Sequence, residues 1–238
     1  AMYLAKARGR AQFRFFDPSM AKSAYAALVL EGELAQALER GEFELYFQPQ
    51  VSARENTIVG AEALIRWNHP TRGLLLPGDF IPLAEQQRLM LPIGHWVLSE
   101  AVRCAARWRA MGLVVAPVAV NLSTMQFQSR GFVDSVAQLL LAERVDGRWI
   151  ELELTERMLM EDIPEVTAKL NQLAALGIRV SVDDFGTGYS SLGHLKDLPI
   201  DKIKIDASFV KDLPGDSGSA AITRAIIQMA GSLGLTAI

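Results

Sequence analysis

From about Met20 onward the chain alternates between two hydrophobic periods. Runs with apolar residues at every second position, the period of a strand, fall at 43–51, 58–67, 117–123, 149–156, 179–183, 200–206 and 235–238. Between most of them the period lengthens to that of a helix. Residues 21–40 carry Ala27, Leu28, Leu30, Leu34 and Leu38 as one stripe, with Gly41 as a stop. Residues 94–111 place Trp96, Val97, Ala101, Cys104, Ala105 and Trp108 along one face. A helix over 162–176 begins at an N-cap Asp162 followed by Pro164 and ends at Gly177. Another over 217–233 is capped by Ser217 and closed by Gly234. Strands separated by helices predict parallel pairing with helical crossovers. With this many units and no dinucleotide-type glycine fingerprint, the expected fold is an α/β, TIM-like barrel.

Strand parity carries the argument from fold to site. One parity of each run is apolar: Val59, Ala61, Ala63, Ile65; Val118, Val120, Leu122; Ile150, Leu152, Leu154; Val180, Val182; Ile203, Ile205. In a parallel barrel the side facing the helices must be apolar, so the opposite, polar parity points inward. Those inward residues, with the acid that follows Asp183, are Gln48, Glu62, Arg66, Asn121, Glu153, Asp183, Asp184, Lys204 and Asp206, near the carboxyl ends where barrel enzymes keep their chemistry. Asp183-Asp184-Phe185-Gly186-Thr187-Gly188-Tyr189 is the densest part. Adjacent carboxylates repel, and a cation or hydrogen-bond donors keep such a pair ionised, although an exposed, solvated turn is the simpler alternative.

Composition narrows the chemistry. Half of the 238 residues are hydrophobic, enough for a sizeable core, and the net charge is −3 with no basic run, which excludes a phosphate-neutralising stripe for duplex nucleic acid. The single cysteine, Cys104, excludes an intrachain disulfide. No apolar stretch reaches the roughly 18 residues of a membrane span, and no secretory leader pattern opens the chain, so the expected location is cytoplasmic. Carboxylates plus an amide form an all-oxygen donor set suited to Mg²⁺ or Mn²⁺. His69, His95 and His194 have no metal-ligand spacing. Two readings of the inward groups stay open: a metal-dependent barrel enzyme with a lysine near its metals, or a structural salt-bridge network in which Lys204 and Arg66 pair with the acids. A Schiff-base enzyme using Lys204 is a third, disfavoured by the acid-rich surroundings.

The strings FQPQ, EALIRW, PGDFIPLAE, VNLS, ELTE, DDFGTGYSSL, LPIDKIKID and SFV resemble the EAL domain of cyclic-di-GMP phosphodiesterases, from about Glu31 to Ile238. The resemblance implies hydrolysis of one phosphodiester bond of cyclic di-GMP to linear pGpG in bacterial second-messenger signalling, with two divalent ions. It implies metal ligands at Glu62, Asn121, Glu153, Asp183 and Asp184, and a lysine near the attacking water at Lys204. It places Gln48, Leu64, Arg66 and Asp206 among the substrate-binding positions. Close to two cations, the Lys204 ammonium should be disfavoured, leaving it able to accept a proton. Glu156, three residues after Glu153 and of opposite parity, is expected to anchor the loop at 185–191. A silent cyclic-di-GMP receptor is the alternative; retention of Glu62, Lys204, Asp183 and Asp184 favours the enzyme.

Residues 1–20 differ from the rest: a short helical piece, Gly9, an aromatic run from Ala11 to Phe16, then the breaker Asp17-Pro18-Ser19. AMYLAKARGRAQFRFF resembles the closing helix and strand of a GGDEF-type diguanylate cyclase domain. The expected organisation is therefore the tail of an upstream GGDEF-like domain and a linker over 1–20, then an EAL domain over 21–238. The latter lacks the last strand of the (β/α)8 barrel and one further metal ligand. A GGDEF-like partner domain is implied, and a homodimer is compatible with the resemblance.

Overall fold

In the computed structural model, residues 18–113, 117–187 and 192–238 are described. The helix–turn–strand expected over 1–16, with its GGDEF likeness, and the end of the Asp183–Tyr189 motif lie outside the described residues. The chain forms two compact units, Ala1–Glu44 with Ile65–Met90, and Leu45–Leu64 with Leu91–Ile238.

In the first unit, helix α1 (Pro18–Ala37) packs on α2 (Pro77–Gln86). The stripe on α1 is narrower than its sequence suggests: Leu30, Leu34 and Ala37 are buried, whereas Leu28 is exposed, on the opposite side of the helix. Phe43, Trp67 and Phe80 form an aromatic cluster with centroids 5.7–5.9 Å apart, the tilted and edge-on geometry that ring quadrupoles favour. The polar edge of Trp67 is satisfied, its Nε1 donating to Glu42 Oε2 at 2.9 Å. Buried His69 lies 3.0 Å from Glu33 through Nε2 and accepts from the Thr71 N–H through Nδ1. Helix α2 is hard to read from sequence because Pro82 interrupts its interior; Pro77 in the first turn and Asp79, which accepts from the Leu76 N–H, start it.

The second unit holds most of the strands: β1 (Phe43–Val51), β2 (Ile58–His69), β4 (Val118–Asn121), β5 (Ile150–Thr155), β6 (Arg179–Phe185), β7 (Lys202–Ile205) and β8 (Thr236–Ala237). The first two start in one unit or end in it, and β3 (Gly73–Leu75) pairs antiparallel with the end of β2. Sheet order is β1-β2-β4-β5-β6-β7-β8. From β2 through β8 the neighbours on this path run parallel, as expected. The first pair departs from that expectation. Gly60 faces Gln50 while the Asn68 N–H bonds the Glu42 carbonyl, so the register runs antiparallel. Only six residues join β1 to β2, too few for a helical crossover.

Helices α3 (Met90–Ala110), α4 (Thr124–Gln128), α5 (Phe132–Glu143), α6 (Glu156–Leu159), α7 (Ile163–Ala175), α8 (Leu192–Leu195) and α9 (Ser217–Ser232) fill the connections. Asp162 caps α7 as expected, accepting from the Glu165 N–H. For α9 the cap is Asp216, accepting from the N–H groups of Gly218 and Ser219, one residue before the expected Ser217. A carboxylate outcompetes the neighbouring hydroxyl there because it takes two donors and carries charge at the positive end of the helix. Both faces of the central strands are covered: Ile150, Leu152, Leu154, Val180, Val182 and Ile203 are buried, and so are Glu151, Glu153, Ser181 and Lys202 of the opposite parity. Glu62 on β2 and Lys204 on β7 are separated in sheet order by β4, β5 and β6, yet their side chains are 3.2 Å apart. Such contact requires the sheet to curl until inward faces meet.

Candidate active site

The inward parity of five strands converges on one ammonium. Lys204 Nζ lies 2.5 Å from Glu153 Oε2, 3.2 Å from Glu62 Oε2 and 3.3 Å from Asp183 Oδ1. Asn121 Nδ2 donates to the other oxygen of Glu62 at 2.8 Å, so Glu62 is gripped from two sides. Burial pulls the Lys204 pKa down, but the charges of Glu153, Asp183 and Glu62 and the hydrogen bond to Glu153 outweigh it, leaving it above the ordinary lysine value. Burial likewise pushes the Glu153 carboxyl up to about 8, against the pull of Lys204 and with the help of Glu62 and Asp183. The two directions agree physically: a cluster of three acids around one cation holds protons tightly. The expected disfavouring of the Lys204 ammonium belongs to a site that holds two cations; with carboxylates alone as neighbours the shift is upward.

The Asp pair is split by the backbone. Asp183 faces the cluster, and its Oδ1 also accepts from the Asp184 N–H at 3.0 Å. Asp184 sits at φ 53°, in the left-handed region, where the β6–β7 register shifts between Val182 and Phe185. This bulge re-aims the second carboxylate. It emerges on the solvent side beside Asp206, and partial desolvation, then the charges of Asp183 and Asp206, raise its pKa above the usual carboxylate range. Asp206 meanwhile caps the turn Ala207–Phe209, and its bonds to Ser208, side chain then backbone, lower its own pKa. At Gly186 the chain has φ 98°, and a Cβ would press on the Phe209 ring at 3.0 Å, so this turn needs glycine. The Gly186 N–H donates to Glu156 Oε2 at 3.2 Å, and the Glu156 carboxylate is buried. Glu156 therefore reaches from the first turn of α6 to the loop after the Asp pair.

The remaining candidates lie outside this knot. Gln48 is exposed on β1; Leu64 and Arg66 are half-buried on β2 at the same parity as Glu62, the Arg66 Nη1 donating to the Ile65 carbonyl. Glu151 and Lys202 share the inward parity read from the sequence but stand outside the candidate set; they form a second polar level two residues earlier on the same strands. Lys202 Nζ is 2.6 Å from Glu151 Oε2, both buried, and reaches Gln50 Oε1 at 3.4 Å. Parity alone is a sufficient signal for it.

Residues 31–238 match the EAL domain family. The chain belongs to the EAL family. This EAL chain is 46% identical over 99% of its length to the bifunctional diguanylate cyclase/cyclic di-GMP phosphodiesterase MucR of Pseudomonas aeruginosa, covering 34% of that protein. It is 40% identical over its whole length to the cyclic di-GMP phosphodiesterase PdeR of Escherichia coli, covering 36% of it. It thus spans about a third of the length of these relatives. The solved structure of the PaMucR phosphodiesterase in complex with c-di-GMP superposes with a TM-score of 0.83 at 45% identity, covering 87% of this chain and 83% of that one. The EAL fold is a TIM-like α/β barrel, in line with the parallel strands and inward polar faces described above. No helix among the described residues is long and apolar enough to cross a membrane.

Whether the EAL carboxylates suit a divalent cation is a question of donor chemistry. Among the described residues no three acids form a ready cage; Glu62, Glu153 and Asp183 converge on Lys204. The donors are nonetheless all oxygens, and Glu153 Oε1 is buried without a hydrogen-bond partner. A buried carboxylate oxygen left unpaired is costly, and a hard cation would satisfy it. The set has the donor chemistry of a hard divalent cation.

Proposed function

We propose that this chain hydrolyses one phosphodiester bond of cyclic di-GMP to give linear pGpG, using divalent cations. The observation that carries the reading is the convergence of Glu62, Glu153 and Asp183 on Lys204 inside the curled sheet, with Asn121 holding Glu62 from its other side. The names of its relatives supply the substrate, which the polar cluster by itself does not specify. Glu62, Asn121, Glu153, Asp183 and Asp184 would hold two ions, Mg²⁺ or Mn²⁺. Such ions, when bound, acidify water and neutralise phosphate charge.

The chain's own groups do the rest. Lys204 holds three carboxylates close together and presents N–H donors where an attacking water must be oriented. Arg66 offers a planar donor fork for phosphate oxygens, and Gln48, Leu64 and Asp206 contact the remainder of the nucleotide. Glu156 fixes the backbone at Gly186, which sets the bulge that aims Asp183 and Asp184 differently. The test is a turnover assay with cyclic di-GMP in Mg²⁺, products resolved by chromatography. Formation of pGpG is expected; tight binding without turnover would replace the enzyme by a receptor.

A further inference from the structure

The buried level beneath the cluster repeats its chemistry. Glu151 and Glu153 lie two apart on β5, and Lys202 and Lys204 two apart on β7, so each strand presents the same residue type twice on one face. The pairs Glu151–Lys202 and Glu153–Lys204 form two stacked ionic rungs, 2.6 and 2.5 Å long; the upper is also a hydrogen bond, whereas the lower is a charge contact in which neither Glu151 oxygen has a hydrogen-bond partner. Both rungs cross over β6, which lies between these strands. They can do so because β6 places a small residue there: Ser181 is fully buried and its Oγ has no hydrogen-bond partner. Gly60 makes room on the far side, since a Cβ there would collide with the Gln50 side chain that also receives Lys202.

The upper rung lacks one support that the lower has. The β6–β7 ladder is regular at Ser181↔Lys202 and Val182↔Ile203, then shifts before Phe185↔Ile205. Lys204 therefore stands opposite the Asp183–Asp184 bulge, past the last regular rung on that side. We infer that the Glu151–Lys202 ion pair is a positioning element, which fixes β7 against β5 and so sets where Lys204 meets Glu153. Glu151 and Lys202 are buried and stand apart from the residues assigned to substrate above. Their effect on hydrolysis passes through Lys204, and to that extent the inference rests on the reading of the site given above.

The test is the volume-conserving apolar double variant Glu151→Met/Lys202→Met, beside the single variant Lys202→Met. Apolar replacement of both partners of a buried pair is commonly neutral for stability, so the double variant should fold even where the single one fails. In the double variant a crystal structure should show Lys204 Nζ displaced from Glu153 by about 1 Å, and a displacement of that size costs on the order of a hundredfold in turnover. The KM for cyclic di-GMP should change less than about twofold, because the substrate-binding residues named above are other groups. An unmoved Lys204, or wild-type turnover in the folded double variant, overturns the positioning role. If the wild-type protein itself does not hydrolyse cyclic di-GMP, the functional reading fails, and the Lys204–Glu153 distance still decides this one.

Discussion

Removing the Glu156 carboxylate tests how the loop after the Asp pair is held. The group is 4% exposed and its Oε2 accepts at 3.2 Å from the N–H of Gly186, a residue held at φ 98°. A hydrogen bond to a charged acceptor contributes about 1.5–3 kcal/mol, and an abandoned, partly buried N–H costs a comparable amount. Taking about 2 kcal/mol as the loss in Glu156→Ala, the anchored state of the loop falls by roughly thirtyfold relative to loosened ones. The bulge that separates Asp183 from Asp184 begins two residues earlier, so turnover of cyclic di-GMP should fall by at least about twofold and by up to that factor, according to how far the anchored state dominates at the start, and Mn²⁺ affinity should weaken. Glu156→Gln, which keeps an acceptor but not the charge, should lie between. The assay is steady-state hydrolysis in saturating Mg²⁺, with Mn²⁺ titration and thermal unfolding on the same samples. A loosened loop leaves the global transition nearly in place, with Tm lowered by less than about 4 °C for a chain of this size. If Glu156→Ala loses cooperative folding, or unfolds much earlier while the folded fraction turns over normally, the carboxylate is a structural anchor of α6 and the loop argument is refuted.

Glu62→Ala and Asp183→Ala should each abolish hydrolysis, since each removes a carboxylate that would hold a divalent ion; undiminished Mg²⁺-dependent turnover in either would remove the metal assignment. Ca²⁺ should inhibit, because its larger radius and looser coordination misplace the attacking water, and activation by Ca²⁺ would count against the proposed geometry. The pH dependence of stability in EDTA follows from Glu153. Its pKa is raised from 4.5 to about 8 in the folded chain, so the folded state binds this proton more tightly, and stability falls as pH rises between those values. Glu153→Gln should flatten that decline, measured as Tm against pH; an identical slope in the variant would show that the raised carboxyl is not its source.

Parity along the strands makes the inward set legible in the amino-acid sequence alone. An apolar residue at every second position of β5, β6 and β7 leaves Glu153, Asp183 and Lys204 nowhere to face but the interior, because helices cover the other side. The same argument reaches Glu62 and Asn121, whose strands are separated by long stretches of chain but share the pattern. Capping chemistry is equally local, so Asp162 is legible as a helix start, and at α9 the expected cap differs from the observed one by a single residue. Other features depend on groups brought together only by the curled sheet. Alternation alone would turn Asp184 toward the helices, opposite to Asp183; the left-handed turn breaks that alternation and brings the second aspartate out beside Asp206. The antiparallel β1 follows from a connection too short to cross over, a constraint that outweighs the parallel pattern elsewhere. Leu28 belongs to the same expected stripe as Leu34 but lies on the uncovered side, because the width of a buried stripe is set by whatever packs against it. The electrostatic surroundings of Lys204 are another such feature. Spacing can place a lysine near acids, but only the positions in space of the carboxylates from β2, β5 and β6 decide that, with no cation beside them, their attraction for the Lys204 ammonium exceeds the cost of burying it.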